Sequence, residues 1–152
     1  MDTIVKKLRD AGLKVTPQRL AIYKMLLSTK GHPTADEICR TVKESIPGLS
    51  FNTVYKTLLS LEEKGLVQRL DVGQDCDRFD ANTRSHVHLV CLNCGKVSDF
   101  GDDTPACVAD LTGRIKRESD WDIRTASFAA YGYCPECRGT GGTELTPGAS
   151  RA

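Results

Sequence analysis

Four of the chain's seven cysteines stand in two Cys-x-x-Cys pairs, and no other feature limits the possible folds so strongly. The pairs are Cys91 with Cys94 and Cys134 with Cys137. Each spacing lets two thiolates converge at one turn, and two such pairs complete a tetrahedral Zn2+ site. Because four thiolates leave no coordination position open, we predict a structural zinc that connects distant strands of one small domain.

A redox-active Cys-x-x-Cys motif is the alternative interpretation. Two pairs, both predicted on turns at strand ends and neither opening a helix, favour zinc. The other three cysteines have no partner at ligand spacing. We expect Cys39 to be buried in a helix, Cys76 to lie in a hairpin and Cys107 to lie at a helix start, all without a functional role.

Charge is distributed unevenly along the 152 residues. Residues 1–70 carry twelve Lys or Arg against seven Asp or Glu, whereas residues 71–152 carry nine against thirteen. A basic half suggests contact with a polyanion, although chance unevenness is the alternative. The sequence contains no apolar run of transmembrane length and no recognisable signal peptide, so we expect a cytoplasmic protein that does not contact a membrane.

The N-terminal half predicts four helices, the last over residues 51–64. Residues typical of helix ends mark them: Gly12, Thr16, Thr34, Ser50 and Gly65. Two short strands, predicted over residues 66–71 and 76–80, follow the fourth helix. This order of elements predicts a winged helix-turn-helix domain over residues 1–80.

The fourth helix has the pattern of a recognition helix. Val54, Leu58 and Leu61 recur at helical spacing and are expected in the core. The opposite side presents four residues to a DNA major groove: Asn52, Thr53, Tyr55 and Lys56. An ordinary amphipathic helix with a solvated face is the alternative, but the order of helix, turn, helix and wing favours DNA binding.

The C-terminal half predicts a second, smaller α/β domain over residues 81–137. Strands are expected over residues 86–91, 96–100 and 121–133, and a helix over residues 105–118. In that helix Val108, Leu111 and Ile115 share a face. Residues 138–152, rich in Gly and Thr, are expected to be disordered. The whole chain is therefore predicted to have an α+β fold.

Two of the three histidines suggest a second metal site. His86 and His88 are two residues apart on a predicted strand, so they share a face and could bind one ion, while Val87 and Leu89 on the other face pack inward. Asp80 and Asp99 lie nearby in the sequence. Imidazole and carboxylate together suit Fe(II), Mn(II) or Zn(II). Two surface histidines on a half-exposed strand are the alternative.

Six stretches of the chain resemble the ferric uptake regulator (Fur) family, and most closely its peroxide-responsive (PerR) branch. The resemblance covers roughly residues 3–137, and the stretches read, in order, GLKVTPQRLAI, GHPTADEI, SFNTVYKTLLSLEEKGLV, RFD, HVHLVCLNCGKVSDF and YGYCPEC. The resemblance implies a homodimeric transcriptional repressor with an N-terminal winged helix and a C-terminal dimerisation domain. It also implies a regulatory metal held between these two domains.

The resemblance places structural zinc on the four paired cysteines. It places regulatory Fe2+ or Mn2+ on three histidines and two aspartates: His32, Asp80, His86, His88 and Asp99. Aspartate at 99 is typical of the peroxide-responsive branch, because iron-responsive members tend to have glutamate there. Zinc-uptake regulators tend to have cysteine at the position of Asp80. The chain departs from many iron-responsive members in having Val87 between the paired histidines and no later histidine, so no third metal site is expected.

The resemblance also implies contacts with double-stranded operator DNA. Tyr55 would contact a thymine methyl group with Lys56 beside it, Lys14 would reach a minor groove, and Arg19 would contact a phosphate. Lys56 is not the commonest residue at its position in the family. Lys14 and Arg19 extend the set predicted from the recognition helix.

These features predict a metal-dependent repressor, not an enzyme. The ion would lock two winged helices into the spacing of a palindromic operator, and peroxide would inactivate the repressor through iron-catalysed oxidation of His32 or His86. The alternative within the family is an iron-responsive repressor of metal uptake genes that does not sense peroxide. A zinc hydrolase or deaminase would need an open zinc position and a His-x-Glu motif, which the sequence lacks. A protein-interaction module that does not bind DNA is a third alternative.

Overall fold

The computed structural model describes residues 2–71, 76–101, 106–123 and 126–139, which belong to two compact units that divide after Ser85. Both units contain helix and strand, which confirms the predicted α+β class. The predicted domain limits at residues 80 and 137 stay predictions. The tip of the predicted hairpin, residues 72–75, and most of the predicted tail, residues 140–152, lie outside the described residues.

The described residues of the first unit form four helices and two strands: α1 (Asp2–Asp10), α2 (Pro17–Ser28), α3 (Ala35–Lys43), α4 (Phe51–Glu63), β1 (Gln68–Leu70) and β2 (Arg78–Asp80). The predicted caps are confirmed at three helix starts. The side chains of Thr16, Thr34 and Ser50 each accept a hydrogen bond from a backbone N–H in the first turn of α2, α3 and α4. Gly65, which follows the C-cap of α4, has a φ of 67°, a conformation that favours glycine.

The four helices share one apolar core. Val54, Leu58 and Leu61 of α4 are fully buried there, as predicted. Burial of each such side chain contributes roughly 1.5–3 kcal/mol to the free energy of folding. Since this face of α4 is fixed in the core, the exposed side chains near the start of α4 have a defined orientation.

Strands β1 and β2 form an antiparallel hairpin in which Gln68 pairs with Asp80 and Leu70 with Arg78. Both strands are shorter than the sequence predicted. Phe79, in the middle of β2, is buried and belongs to the core of the helices. The hairpin is thereby anchored to the helices, and Asp80 ends β2 in a buried position.

In the part of the second unit that the structure describes there are three strands and one helix: β3 (Val87–Cys91), β4 (Val97–Asp99), α5 (Ala106–Glu118) and β5 (Phe128–Gly132). The central strand β3 pairs antiparallel with β4 and parallel with β5. The prediction of strand over residues 121–133 was too long. The N–H of Ile123 donates to the carbonyl of Trp121 in a turn, and the Trp121 side chain is 77% exposed.

The second unit leaves large apolar side chains exposed on its own surface: Leu89, Leu92, Phe100, Leu111, Ile115, Trp121, Tyr131 and Tyr133. Of the three α5 residues predicted to share a face, Val108 is buried, whereas Leu111 and Ile115 are exposed.

None of the helices in the described part of the chain is both long and apolar enough to span a membrane.

Candidate functional site

The four paired cysteines converge at one end of the sheet of the second unit. Cys91 is the last residue of β3 and pairs with Gly132 at the end of β5, so Cys134 follows only two residues beyond. The N–H of Gly95 donates to the carbonyl of Cys91 (3.0 Å) and closes the turn that carries Cys94. The N–H of Cys137 likewise donates to the carbonyl of Cys134 (2.9 Å). Parallel pairing of β3 with β5 thus joins two turns that are distant in sequence.

The spacing of the four sulfur atoms fits a tetrahedral metal. They lie within 4.8 Å of one another, and the Sγ atoms of Cys94 and Cys134 are 3.8 Å apart. Zn–S bonds of about 2.3 Å in a tetrahedron give sulfur–sulfur distances of about 3.8 Å. A disulfide would require about 2.05 Å. The cluster therefore fits Zn2+ better than a redox-active pair.

The thiols of this cluster have shifted acidities. Hydrogen bonds from the backbone N–H of Cys134 (3.4 Å), and then of Cys94, lower the pKa of the Cys91 thiol to about 6. Burial, followed by a hydrogen bond with the Cys137 thiol, raises the pKa of Cys134 to about 12. Four thiolates whose sulfur atoms lie within 4.8 Å of one another repel each other, so a cation is needed to compensate their charge. Zn2+ supplies such compensation.

An ion pair that the sequence analysis missed connects the two cysteine turns. Lys96 Nζ lies 3.1 and 3.2 Å from the two carboxylate oxygens of Glu136. Oε2 of Glu136 in turn accepts from the Cys134 thiol at 3.4 Å. The sequence did contain a signal for this ion pair. Glu136 lies between Cys134 and Cys137, and Lys96 follows Cys94 by two positions.

The second unit also holds a histidine and aspartate group. Nε2 of His86 lies 3.1 Å and Nε2 of His88 lies 3.8 Å from Oδ1 of Asp99. Both histidines are buried, and their ring centroids are 4.2 Å apart. The shared face predicted for His86 and His88 is therefore present. Three donors that converge in this way could hold a divalent ion.

The prediction that Leu89 packs inward was wrong. The burial of β3 alternates so that the histidine side is covered, while Leu89 is 40% exposed. Alternation along a strand fixes which residues share a face, but it does not fix which of the two faces is covered. The alternative of two surface histidines is excluded by the same observation.

The first unit holds a second group, formed by His32 and Asp80. His32 precedes α3 and Asp80 ends β2, and both side chains are buried. His32 Nδ1 donates to the carbonyl of Lys30 (2.9 Å), and Asp80 Oδ1 accepts from the N–H of Asn82 (2.7 Å). These bonds leave His32 Nε2 facing Asp80 Oδ2 at 3.5 Å. A cation bound between this ring nitrogen and the carboxylate would stabilise the arrangement, so the pair fits part of a metal site.

The predicted DNA contacts all lie in the first unit. Asn52, Thr53 and Lys56 are exposed near the start of α4, and Tyr55 is half-buried there. The Tyr55 ring stacks on Phe51, with centroids 6.2 Å apart. Phe51, 44% exposed, was missed, although it immediately precedes the predicted set.

The remaining predicted contacts lie near the start of α2, Lys14 just before it and Arg19 in its first turn. Lys14 is exposed, and the half-buried Arg19 donates from Nη1 to the carbonyl of Lys14. The three cysteines outside the cluster lie as expected. Cys39 is buried in α3, whereas Cys76 before β2 and Cys107 near the start of α5 are exposed.

The comparisons with known proteins agree with one another. The chain is 36% identical over 141 residues to the peroxide-responsive repressor PerR of Staphylococcus epidermidis, which covers 93% of this chain and 92% of that protein. The structure of the Campylobacter jejuni peroxide stress regulator is similar with a TM-score of 0.70 and 29% identity, over 90% of this chain and 97% of that chain. The structure of the Pseudomonas aeruginosa ferric uptake regulator with manganese is similar with a TM-score of 0.67 and 31% identity. The match covers 86% of this chain and 96% of that chain.

The family model agrees with these individual proteins. The model described as the ferric uptake regulator family matches residues 10–131, which include both histidine and aspartate groups and the first cysteine pair. The resemblance seen in the sequence motifs is therefore confirmed. This chain belongs to the ferric uptake regulator family.

Proposed function

We propose that this chain is a metal-dependent transcriptional repressor that binds palindromic operator DNA as a homodimer and is inactivated by peroxide. Family membership makes it a regulator of transcription and not an enzyme. The proposal includes a cytoplasmic location. One observation carries the proposal: each unit holds a buried group of histidine and aspartate donors, His32 with Asp80 in the first and His86, His88 and Asp99 in the second.

The two donor groups belong to one regulatory site in this proposal. Two donors in the first unit are too few for a tight site, and together with the three in the second they make a five-donor set suited to Fe2+ or Mn2+. An ion bound by both groups stabilises one arrangement of the two units over all others. It acts as an effector because its affinity differs between that arrangement and the rest.

The cysteine cluster has a different role, as the site of structural Zn2+. All four donors are thiols, all belong to the second unit, and their spacing matches a closed tetrahedron. Such an ion stabilises the fold of the second unit and leaves no position for a substrate.

The first unit supplies the DNA-binding surface. Four polar side chains near the start of α4 enter the major groove: Asn52, Thr53, Tyr55 and Lys56. Tyr55 contacts a thymine methyl group through its ring. Lys14 reaches a minor groove and Arg19 a phosphate, which adds a contribution to affinity that depends on salt.

Dimerisation is assigned to the second unit. Its exposed apolar side chains, which include Leu111, Ile115 and Tyr131, are more than an isolated small unit normally leaves in water. A symmetric pair of these surfaces places two winged helices about a two-fold axis, and the matching DNA is a palindrome.

Peroxide sensing is the most specific part of the proposal. Bound Fe2+ would mediate electron transfer from an imidazole to peroxide and would not be consumed in the net change. The imidazole of His32 or His86 is the group oxidised: one oxygen atom of peroxide is inserted into a ring C–H bond, and the other leaves as water. The loss of one imidazole donor weakens the five-donor set, so the repressor leaves its operator. Asp99 and the 36% identity to a peroxide-responsive repressor support this branch over plain iron sensing.

The test compares Fe2+-loaded and Mn2+-loaded protein after peroxide treatment. The chain has only three histidines, so peptide mass spectrometry can follow all of them. With Fe2+ we expect one added oxygen on His32 or His86 and loss of binding to a palindromic duplex. With Mn2+, which reduces peroxide poorly, we expect neither change. Metal-dependent DNA binding without oxidation in the Fe2+ sample would leave the iron-responsive alternative and refute peroxide sensing.

A further inference from the structure

The side chain of Arg78 is placed between the His32 segment and the start of α3. We propose that Arg78 is a positioning residue, which holds His32 in its metal-binding conformation and links that conformation to α3. The inference rests on the proposed function, since it assumes that His32 is a ligand. It names a residue with no donor atom for a metal, which ligand spacing cannot reveal.

The contacts of Arg78 are specific and largely shielded from water. Its side chain is 14% exposed, and Nη1 donates to the carbonyl of His32 at 3.0 Å. The same nitrogen lies 3.6 Å from Oε2 of Glu37 in the first turn of α3. Oε2 of Glu37 also accepts from the backbone N–H of Thr34 (2.7 Å) in the capping box that opens α3. One guanidinium therefore connects the backbone of His32 to the cap of α3.

The backbone of His32 needs such a restraint. Its φ is 48°, in the left-handed region of backbone conformations that residues other than glycine rarely adopt. Such a conformation persists where the surroundings over-determine it. Two further contacts act with Arg78: the N–H of Phe79 donates to the carbonyl of Pro33 (3.0 Å), and Thr34 forms an isolated bridge with Arg78. Strand β2 therefore fixes the segment that enters α3.

Arg78 lies on β2, the same strand that carries Asp80. Asp80 is two residues further along the same strand, so the restraint on His32 and the carboxylate facing its ring share one rigid element. An ion bound by His32 and Asp80 therefore stabilises the same contacts that fix the cap of α3. Since α3 is the first helix of the helix-turn-helix, metal binding and DNA binding are linked within the first unit.

The test measures Mn2+ affinity in four variants, with zinc content determined separately. We expect Arg78→Ala to weaken Mn2+ binding by about 10- to 100-fold, the usual effect of losing a partner that orients a ligand. Arg78→Lys, which can restore one hydrogen bond, should recover part of the loss. Glu37→Gln, which preserves the capping box, should have a smaller effect. Arg9→Ala, an exposed arginine at the end of α1, is the matched control and should bind as wild type.

A readout independent of metal separates positioning from general destabilisation. In Arg78→Lys, the melting temperature of the chelator-treated protein should stay close to that of wild type although the affinity for Mn2+ falls. Hydrogen exchange of the Phe79 amide should accelerate in the same variant. Unchanged Mn2+ affinity in both Arg78 variants, or equal losses without rescue by lysine, would overturn the inference. If the wild-type protein binds no Mn2+ beyond its zinc, the proposed function itself fails, which is a distinguishable result.

Discussion

His88 and Asp99 are direct partners in the antiparallel pairing of β3 with β4, and His88 Nε2 lies 3.8 Å from Asp99 Oδ1. The same oxygen lies 3.1 Å from Nε2 of His86. One carboxylate oxygen thus faces two imidazoles. At such a position, the length of the acidic side chain determines where its second oxygen lies.

We expect Asp99→Glu to retain Mn2+ binding within a few-fold and to lose the peroxide response. The added methylene group lets both oxygens approach a bound ion, so the position that peroxide requires is filled. Mass spectrometry after peroxide treatment of the Fe2+-loaded variant measures the outcome. Asp110→Glu, an exposed change on α5, is the control and should behave as wild type. Oxidation of His32 or His86 at the wild-type level in Asp99→Glu would refute this role of side-chain length.

The cysteine cluster predicts a selective effect of serine substitution. Cys94→Ser removes one of four thiolates from a closed site, and we expect loss of zinc and a fall of several kcal/mol in the free energy of unfolding, on the order of what structural zinc contributes. Cys107 is an exposed cysteine outside the cluster, so Cys107→Ser should retain its zinc and its free energy of unfolding. Zinc content and urea unfolding provide the measurements. A Cys94→Ser protein with a full complement of zinc would contradict the assignment.

The stacking of Tyr55 on Phe51 predicts an apolar contribution to base recognition. Tyr55→Ala should weaken operator binding by about 1–3 kcal/mol, whereas Tyr55→Phe retains the ring and should lose little. Replacement of the contacted thymine by uracil removes the methyl group, and it should weaken wild type but not Tyr55→Ala. Fluorescence anisotropy with a duplex selected in vitro measures these affinities. An equal effect of uracil on both proteins would show that Tyr55 does not contact the methyl group.

Lys14 is exposed and is expected to contribute charge rather than base specificity. Lys14→Ala should therefore weaken specific and non-specific duplexes to a similar extent. The slope of log affinity against log salt concentration should fall by about 0.9, because a lysine in the minor groove also neutralises the charge of one flanking phosphate. Glu118→Ala, an exposed change on α5, provides a control outside the first unit. An unchanged slope in Lys14→Ala would remove this residue from the interface.

Local signals made much of this fold predictable. The capping residues Thr16, Thr34 and Ser50 act within one helical turn, so their effect can be read from a few letters of sequence. The buried side of α4 follows from helical spacing alone. The cysteine cluster was predictable because Zn2+ geometry restricts ligand type and spacing more tightly than a fold does.

Other features depend on contacts that distant residues make. The left-handed backbone of His32 is fixed by Arg78 and Phe79, which follow it by more than forty positions. The buried side of β3 depends on what covers it, so its alternation alone misled the assignment of Leu89. The start of β5 was missed because the apolar residues near Trp121 resemble strand residues although they lie in a turn.

In the proposed function, one ion bound by donors from both units controls affinity for DNA. The most direct test is the affinity of chelator-treated protein that retains its zinc for a selected palindromic duplex, with and without Mn2+. We expect Mn2+ to tighten binding by about 5- to 150-fold in wild type and to have no effect on His32→Ala. Equal affinity of the wild-type protein with and without Mn2+ would contradict the account.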